Sequence, residues 1–391
     1  MRIVFVFLGC FVMVGCLGSI HALPPHSAAD RTFRPVEQPN GYTSIYSFSG
    51  APDGAIPYAG LVDVKGTLYG TTSTGGLGGG VIFKITPSGV EKVLYSFKTG
   101  EPNSPIAPLI LVNGALYGTA PVGGPANCGS VFRVTLGGSE KTLHAFKNNA
   151  DGCLPEGPLL NVRGTLYGTT KDGGKANGVG VGTVFKITTS GSEKVIYAFK
   201  GSNYNDAGSP AGGLTNVKGV LYGTSDGGGN SKQQGTIYRV TLSGSEKVLH
   251  AFNGNDGDSP LSTLVSVNGK LYGTTSSGGA KNLGTVFSMS TSGAFKLLHS
   301  FHGADGATPP FGALVDFKGA LYGVTSAGGK NNAGAIFKLT TAGKETVLYS
   351  FGGGFDGTNP GGALINVGST LFGTTAAGGY NGKGTVYSIQ P

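Results

Sequence analysis

The chain contains no tryptophan and only three methionines in 391 residues. Charged residues make up 12% of it, while Val, Leu, Ile and Phe recur at regular spacing, a pattern that excludes intrinsic disorder. No window keeps its apolar residues at helical spacing, which excludes a helical bundle. No His pair has zinc-protease spacing and no Cys-x-x-Cys occurs, so no metal site is assigned. Cysteines number four, and Cys10 and Cys16 fall in the N-terminal apolar segment. Glycine is plentiful at 73 residues, without the Gly-X-Y register of collagen. The net charge of +8 is spread by the repeat rather than gathered. Lys84, Arg133, Lys186, Arg239 and Lys338 share one strand position; Lys92, Lys141, Lys194 and Lys247 share another, each preceded by Glu. No nucleic-acid partner is expected from that layout.

What is present is a repeat. Leu-Tyr/Phe-Gly-Thr, or a one-residue variant, begins at Leu68, Leu116, Leu166, Leu221, Leu271, Leu321 and Leu371, at steps of 48 to 55 residues. The unit from Gly60 to Phe97 contains four short β-branched and aromatic segments separated by Gly-containing turns. Four antiparallel strands per period of about 50 residues define a propeller blade. The last repeat stops at Pro391 one strand short, and Tyr42 to Phe48 matches the missing fourth strand. The fold class expected is therefore all-β: a seven-bladed β-propeller of four-stranded antiparallel blades, over residues 42–391. Its last blade is closed by the N-terminal strand, which removes the open edge.

Arg2 followed by an apolar run from Ile3 to Val14 reads as a signal peptide over 1–22, with cleavage after Ala22. Met13-Val14-Gly15-Cys16 keeps a lipid anchor at Cys16 open as the alternative. Residues 23–41, with Pro24, Pro25, Pro35 and Pro39, read as a linker. No spanning segment is expected after signal removal. The chain is expected to be secreted, periplasmic or on a bacterial cell surface.

The double glycine after strand two is kelch-like, although the kelch Trp is missing. The series Leu-Tyr-Gly-Thr-Thr, Gly-Gly, Gly-Thr-Val-Phe-Lys-Ile and Leu-Tyr-Ser-Phe more closely resembles the GloVer tandem repeats of bacterial exported proteins. The resemblance covers residues 42–391. It implies a surface or secreted protein and carries no catalytic residues.

In an up-and-down blade the one-two and three-four turns share one face. The two-three loops and the blade-to-blade crossings share the other, and this face holds the length variation. Its longest loops, in blades 3 and 4, offer Lys175, Asn177, Asn203, Tyr204, Asn205, Asp206, Asn230, Lys232, Gln233 and Gln234 as ligand-binding candidates. Amides, a Tyr and a few charges suit a hydroxyl-rich ligand. An acidic residue stands four positions before a Pro in every crossing: Asp53, Glu101, Asp151, Asp206, Asp256, Asp305 and Asp356. These read first as turn acceptors, with a calcium-binding ring as the alternative. Cys128 and Cys153 fall in adjacent loops of this face, and a disulfide is expected. His144, His250 and His299 take the strand-four position that is Tyr in other repeats and read as packing residues. His302, in a crossing near Asp305, is a lone acid/base candidate. Gly223-Thr224-Ser225-Asp226-Gly227 imitates a nucleophile elbow but lacks the strand-to-helix turn. No cofactor is expected. The function expected is a non-enzymatic binding module for a glycan, a cell-wall component or a surface protein. A polysaccharide-acting enzyme using carboxylates on the same face, or a purely structural surface protein, are the alternatives.

Overall fold

Side chains alternate across a strand, and in Thr67-Leu68-Tyr69-Gly70 that alternation assembles a ring. Leu68 packs with Ile45, Phe48 and Val386 on one side, whereas Tyr69 packs with Leu109, Leu116 and Phe132 on the other. Each sheet is thus buried on both faces, against the blade before and the blade after. A chain with few charges satisfies that requirement.

The computed structural model describes residues 36–37, 41–175, 180–312 and 314–391. Blade 1 comprises Val62–Val64, Thr67–Thr72, Gly78–Ile85 and Glu91–Lys98, paired antiparallel in that order. Five further blades repeat it over 110–145, 160–198, 215–251, 265–300 and 315–350. Every first strand contacts the first strand of the next blade, and the seventh meets the first. The first strands therefore circle a central axis. Blade 7 is built from Ile365–Val367, Thr370–Ala377 and Thr385–Ile389, with Tyr42–Ser47 as its fourth strand. Tyr42 lies opposite Ile389 and Ser47 opposite Thr385, which gives the expected closure. Within the stretch read as a linker, Val36–Glu37 pairs with the outer edge of Tyr42–Ser47, and Thr358–Pro360 pairs with Thr370–Ala377, so this sheet has six strands. The only helical element among the described residues is a 3-10 turn, Ser202–Tyr204. None is long and apolar enough to cross a membrane. The proposed signal segment and the Cys16 anchor lie outside the described residues.

Each letter of the repeat has a physical task. The seven leucines are fully buried. A Cβ on Gly70 would come within 2.6 Å of Phe83, and one on Gly223 within 2.4 Å of Tyr238. Only glycine lets the third-strand ring cross strand two. The first threonine ties blades together: Thr119, Thr169, Thr224 and Thr374 donate to Gly157, Gly212, Ser262 and Ala59 carbonyls of the next blade, at 2.9–3.1 Å. In blade 6, Val324 forgoes that bond. The second threonine usually closes its own turn, as Thr72 does onto the Thr74 carbonyl.

With no tryptophan in the chain, phenylalanine and tyrosine supply the large rings between blades. Phe48, Phe97, Phe146, Phe199, Phe252, Phe301 and Phe351 end the fourth strands. Each packs on the third-strand aromatic ring of the following blade, at 4.9–5.4 Å between centroids. Such pairs contribute about 0.5–1.5 kcal/mol each beyond area burial. All seven fourth strands also carry a register shift, a β-bulge.

Candidate functional site

The crossings deliver the chain to the axis. The residue before each crossing proline is left-handed: Ile56, Ser104, Leu154, Ser209, Ser259, Thr308 and Asn359 have φ of 53–58°. This conformation is unfavourable for most non-glycine residues and is held from both sides. The Leu154 N–H donates to the Cys128 carbonyl of the preceding blade at 3.0 Å, and the Leu154 carbonyl accepts from the Lys171 N–H at 2.9 Å. The same pattern recurs at Ser209, with Val181 and Asp226.

Just past the prolines, Tyr58, Ile106, Glu156, Ala211, Leu261, Phe311 and Gly361 converge on the axis and line a cavity of about 140 Å³. This is the mouth of the ring on the crossing face. Its walls are mostly apolar or backbone. The Tyr58 ring lies over Gly361, where a Cβ would come within 2.7 Å of it. The ring reaches Phe311 edge-on at 6.1 Å. Burial raises the Tyr58 hydroxyl above its ordinary range.

Glu156 breaks the symmetry as the one charged side chain among the lining residues described. Lys171 bonds it at 3.3 Å. Burial raises the Glu156 carboxyl above the usual range; Lys171 opposes the shift, while Asp172 and Asp226 add to it. The register-mates of Lys171 in the other blades are Ser73, Pro121, Asp226, Ser276, Ser326 and Ala376. Blades 3 and 4 therefore concentrate Glu156, Lys171, Asp172 and Asp226 on one sector. The Cys128–Cys153 disulfide, expected from the sequence, braces the same crossing three residues before Glu156. The sequence marks blades 3 and 4 by their longer loops, and the structure adds this charged cluster to the same two blades. Aligning the repeats on their crossing prolines, rather than on Leu-Tyr-Gly-Thr, exposes Glu156 as the odd residue.

The proposed ligand-binding residues divide. Lys175, Asn203, Asn205, Lys232 and Gln233 are exposed on the loops. Asn230 is bonded within its loop and to the Phe252 carbonyl at 3.0 Å. Gln234 donates to Asp258 at 3.3 Å. Asp206 is buried, accepting from the Tyr197 hydroxyl at 2.7 Å and from the Lys200 and Ala207 N–H groups at 2.8 Å. Asn177 lies outside the described residues, and the Tyr204 backbone forms part of the 3-10 turn. Ala207–Gly208 pairs with Gly227–Gly228, so the long crossing into blade 4 folds onto that blade's own loop.

The acidic positions and the strand-four Tyr/His positions, read separately in the sequence, meet in pairs at the outer ends of the crossings. Asp53 accepts from Tyr46 at 2.7 Å and Asp356 from Tyr349 at 2.8 Å; Glu101 accepts from Tyr95 at 3.1 Å. His144, His250 and His299 lie 3.2, 3.0 and 2.9 Å from Asp151, Asp256 and Asp305. Tyr197 with Asp206 completes the seven. Each carboxylate also accepts a nearby backbone N–H, such as Ser49 to Asp53 at 3.0 Å. In five gaps the next blade brings a second carboxyl group. Burial, then Asp53, pushes Glu91 up to about 7. Burial, then Asp151, does the same for Glu193, and burial with Asp305 for Glu345, each to about 7. Burial and Asp206 take Glu246 to about 8. Glu140 is raised chiefly by burial, with Glu101 adding. In the other two gaps that position is aromatic: Phe295 stacks on His250 and Tyr42 on Tyr349.

Two aromatic rings stand out in water on the crossing face. Phe355, from the crossing into blade 7, and Tyr380, from that blade's two-three loop, are 56% and 58% exposed. Their ring centroids are 4.9 Å apart.

Blades, closure and loop face define the class: a seven-bladed β-propeller of tandem repeats. The chain belongs to the Gloeobacter/Verrucomicrobia repeat family, whose repeat profile matches residues 32–230 and again 179–387. This agrees with the resemblance seen in the strand motifs. No curated protein matches the chain. Among solved structures, it is similar to puromycin hydrolase, at a TM-score of 0.50 and 12% identity over 76% of this chain and 45% of that one. A point mutant of puromycin hydrolase complexed with PGG gives 0.50 and 13%, over 76% and 46%. The chain thus spans less than half the length of these neighbours. At such identity the likeness shows the fold alone.

Proposed function

We propose that this propeller is a non-enzymatic, exported binding module that takes a glycan on its crossing face. The observation that carries the reading is the Phe355–Tyr380 pair. Two large rings held in water gain nothing from core packing, and paired aromatic faces suit the apolar C–H faces of sugar rings. Elsewhere on the same face, the exposed Asn203, Asn205, Lys232 and Gln233 of the blade 3 and 4 loops supply donors and acceptors for hydroxyls. At the axis, Tyr58 and Phe311 offer a second aromatic surface and Glu156 a single acceptor for a chain end. The enzymatic alternative needs two free carboxyl groups poised at one bond; in the paired rim gaps one member is held by a Tyr or His and a backbone N–H, and at the mouth Glu156 is bonded to Lys171.

The test is a binding screen of the full chain against soluble polysaccharides and cell-wall fragments. A glycan should be retained, and Phe355→Ala with Tyr380→Ala should weaken it about tenfold without lowering the melting temperature. Retention of a surface protein but no glycan would replace the ligand class. Unchanged affinity in the double variant would remove the aromatic pair from the site.

A further inference from the structure

We propose that the gap between blades 5 and 6 holds a divalent transition-metal site, Zn²⁺ being the ion best matched, with His299, His302 and Asp305 as its protein ligands.

The three donor atoms already converge. His299 Nε2 is 2.9 Å from Asp305 Oδ2, and His302 Nδ1 is 3.5 Å from the same oxygen. All three atoms lie within 4.8 Å of one another. Tetrahedral Zn²⁺ with bonds of about 2.0–2.1 Å sets its ligands roughly 3.3 Å apart, so small side-chain shifts suffice. Two imidazole nitrogens and one carboxylate oxygen form a donor set suited to a borderline ion rather than to calcium, which takes oxygen.

The surroundings orient the donors. The His302 N–H donates to Asp305 Oδ1 at 2.7 Å, which turns Oδ2 toward both rings. His299 is fixed edge-on against Phe301 at 5.0 Å. His302 is 55% exposed at its side chain, which leaves a route from solvent. Across the gap, Glu345 feels the charge of Asp305. Its Oε1 is buried without a hydrogen-bond partner among the described residues. It brings a fourth oxygen-bearing group, a carboxyl, to the gap.

The other gaps serve as internal controls. The register-mates of His302 are Ser49, Lys98, Lys147, Lys200, Asn253 and Gly352. At the His144–Asp151 pair Lys147 stands where His302 would, and its cation opposes a metal. At the His250–Asp256 pair, Asn253 occupies the carboxylate at 3.2 Å and Phe295 covers the imidazole. Among the described residues, only the blade 5–6 gap combines two imidazoles with carboxyl groups from both sides.

The experiment is equilibrium dialysis of the full chain against Zn²⁺, with melting temperature as a second readout. The variants borrow residues that the repeat already accepts: His299→Tyr as at Tyr197, and His302→Ser as at Ser49. Wild type should bind one Zn²⁺ more per chain than either variant, or bind it at least about tenfold tighter, and Zn²⁺ should raise its melting temperature more. His250→Tyr should behave as wild type. Equal Zn²⁺ stoichiometry and affinity in wild type and His302→Ser would overturn the assignment, as would an equal loss in His250→Tyr.

Discussion

The two ends of one crossing obey different rules. At the rim, seven crossings repeat one arrangement, an acidic side chain held by a Tyr or His and a backbone N–H. A few residues further on, at the axis, the seven chains present Tyr58, Ile106, Glu156, Ala211, Leu261, Phe311 and Gly361, seven different residues. Repetition at the rim serves the ring, because a gap between identical blades has one good solution. Variation at the axis is tolerated because those side chains border a cavity instead of a packed core. A carboxylate at the rim and one at the axis should therefore behave differently on removal.

The largest effect should come from breaking the ring itself. Deleting residues 42–48 strips the fourth strand from blade 7 and exposes the Thr385–Ile389 edge; cooperative melting should be lost or shifted down by tens of degrees. An unchanged melting curve would mean that closure contributes nothing. Next comes the brace at the blade 3 crossing. Replacing Cys128 and Cys153 with Ser frees a loop with a sequence separation of 25. The loss should be about 3 kcal/mol in denaturant unfolding.

The rim–axis contrast is read directly by Asp53→Ala and Glu156→Gln. The first leaves the Ser49 N–H without its acceptor and should cost about 1–3 kcal/mol. The second keeps an oxygen acceptor for Lys171 and should cost less, about 1 kcal/mol or under, while weakening whatever binds the mouth. Equal costs would erase the distinction.

The smallest effect is a pH slope. Glu91, Glu193 and Glu345 are pushed up to about 7 and Glu246 to about 8 by burial and by the rim carboxylates beside them. Their ordinary value is 4.5, so the folded ring holds protons that the unfolded chain gives up. The stability tied to those protons is complete below the ordinary value and is lost as pH rises through 7 and 8. His144 and His250, held below their ordinary range by burial, act oppositely and only in acid. Melting temperature should fall from about pH 5 to about pH 8 and level off above it, and Glu246→Gln should flatten part of that fall. An identical slope in the variant would assign the dependence elsewhere.

The fold was legible because the repeat letters are the ones that blade stacking demands. Leu68 must face one neighbour, Tyr69 the other, and Gly70 must admit Phe83; no helix or two-sheet sandwich needs that triplet seven times. The rim pairs were half legible. Tyr349 and Asp356 each recur visibly, but their contact depends on how the crossing folds back, which spacing does not encode. Glu156 was overlooked because it is unremarkable alone; its meaning lies in facing an axis that forms only when seven chains meet. The His299–His302–Asp305 cluster was hidden similarly, since His299 looks like one more substitute for Tyr.

Blade 7 has a consequence for the order of events during synthesis. Tyr42 is made long before its partner Ile389. Until then the Tyr42–Ser47 strand has an unsatisfied edge, and six blades can stack in sequence while the ring stays open. Completion waits for the slowest class of contact, one between segments most distant along the chain. A chain cut short before Thr385 keeps nearly all of its blades and still presents two raw edges, so incompleteness is displayed where pairing or capture by another strand can detect it.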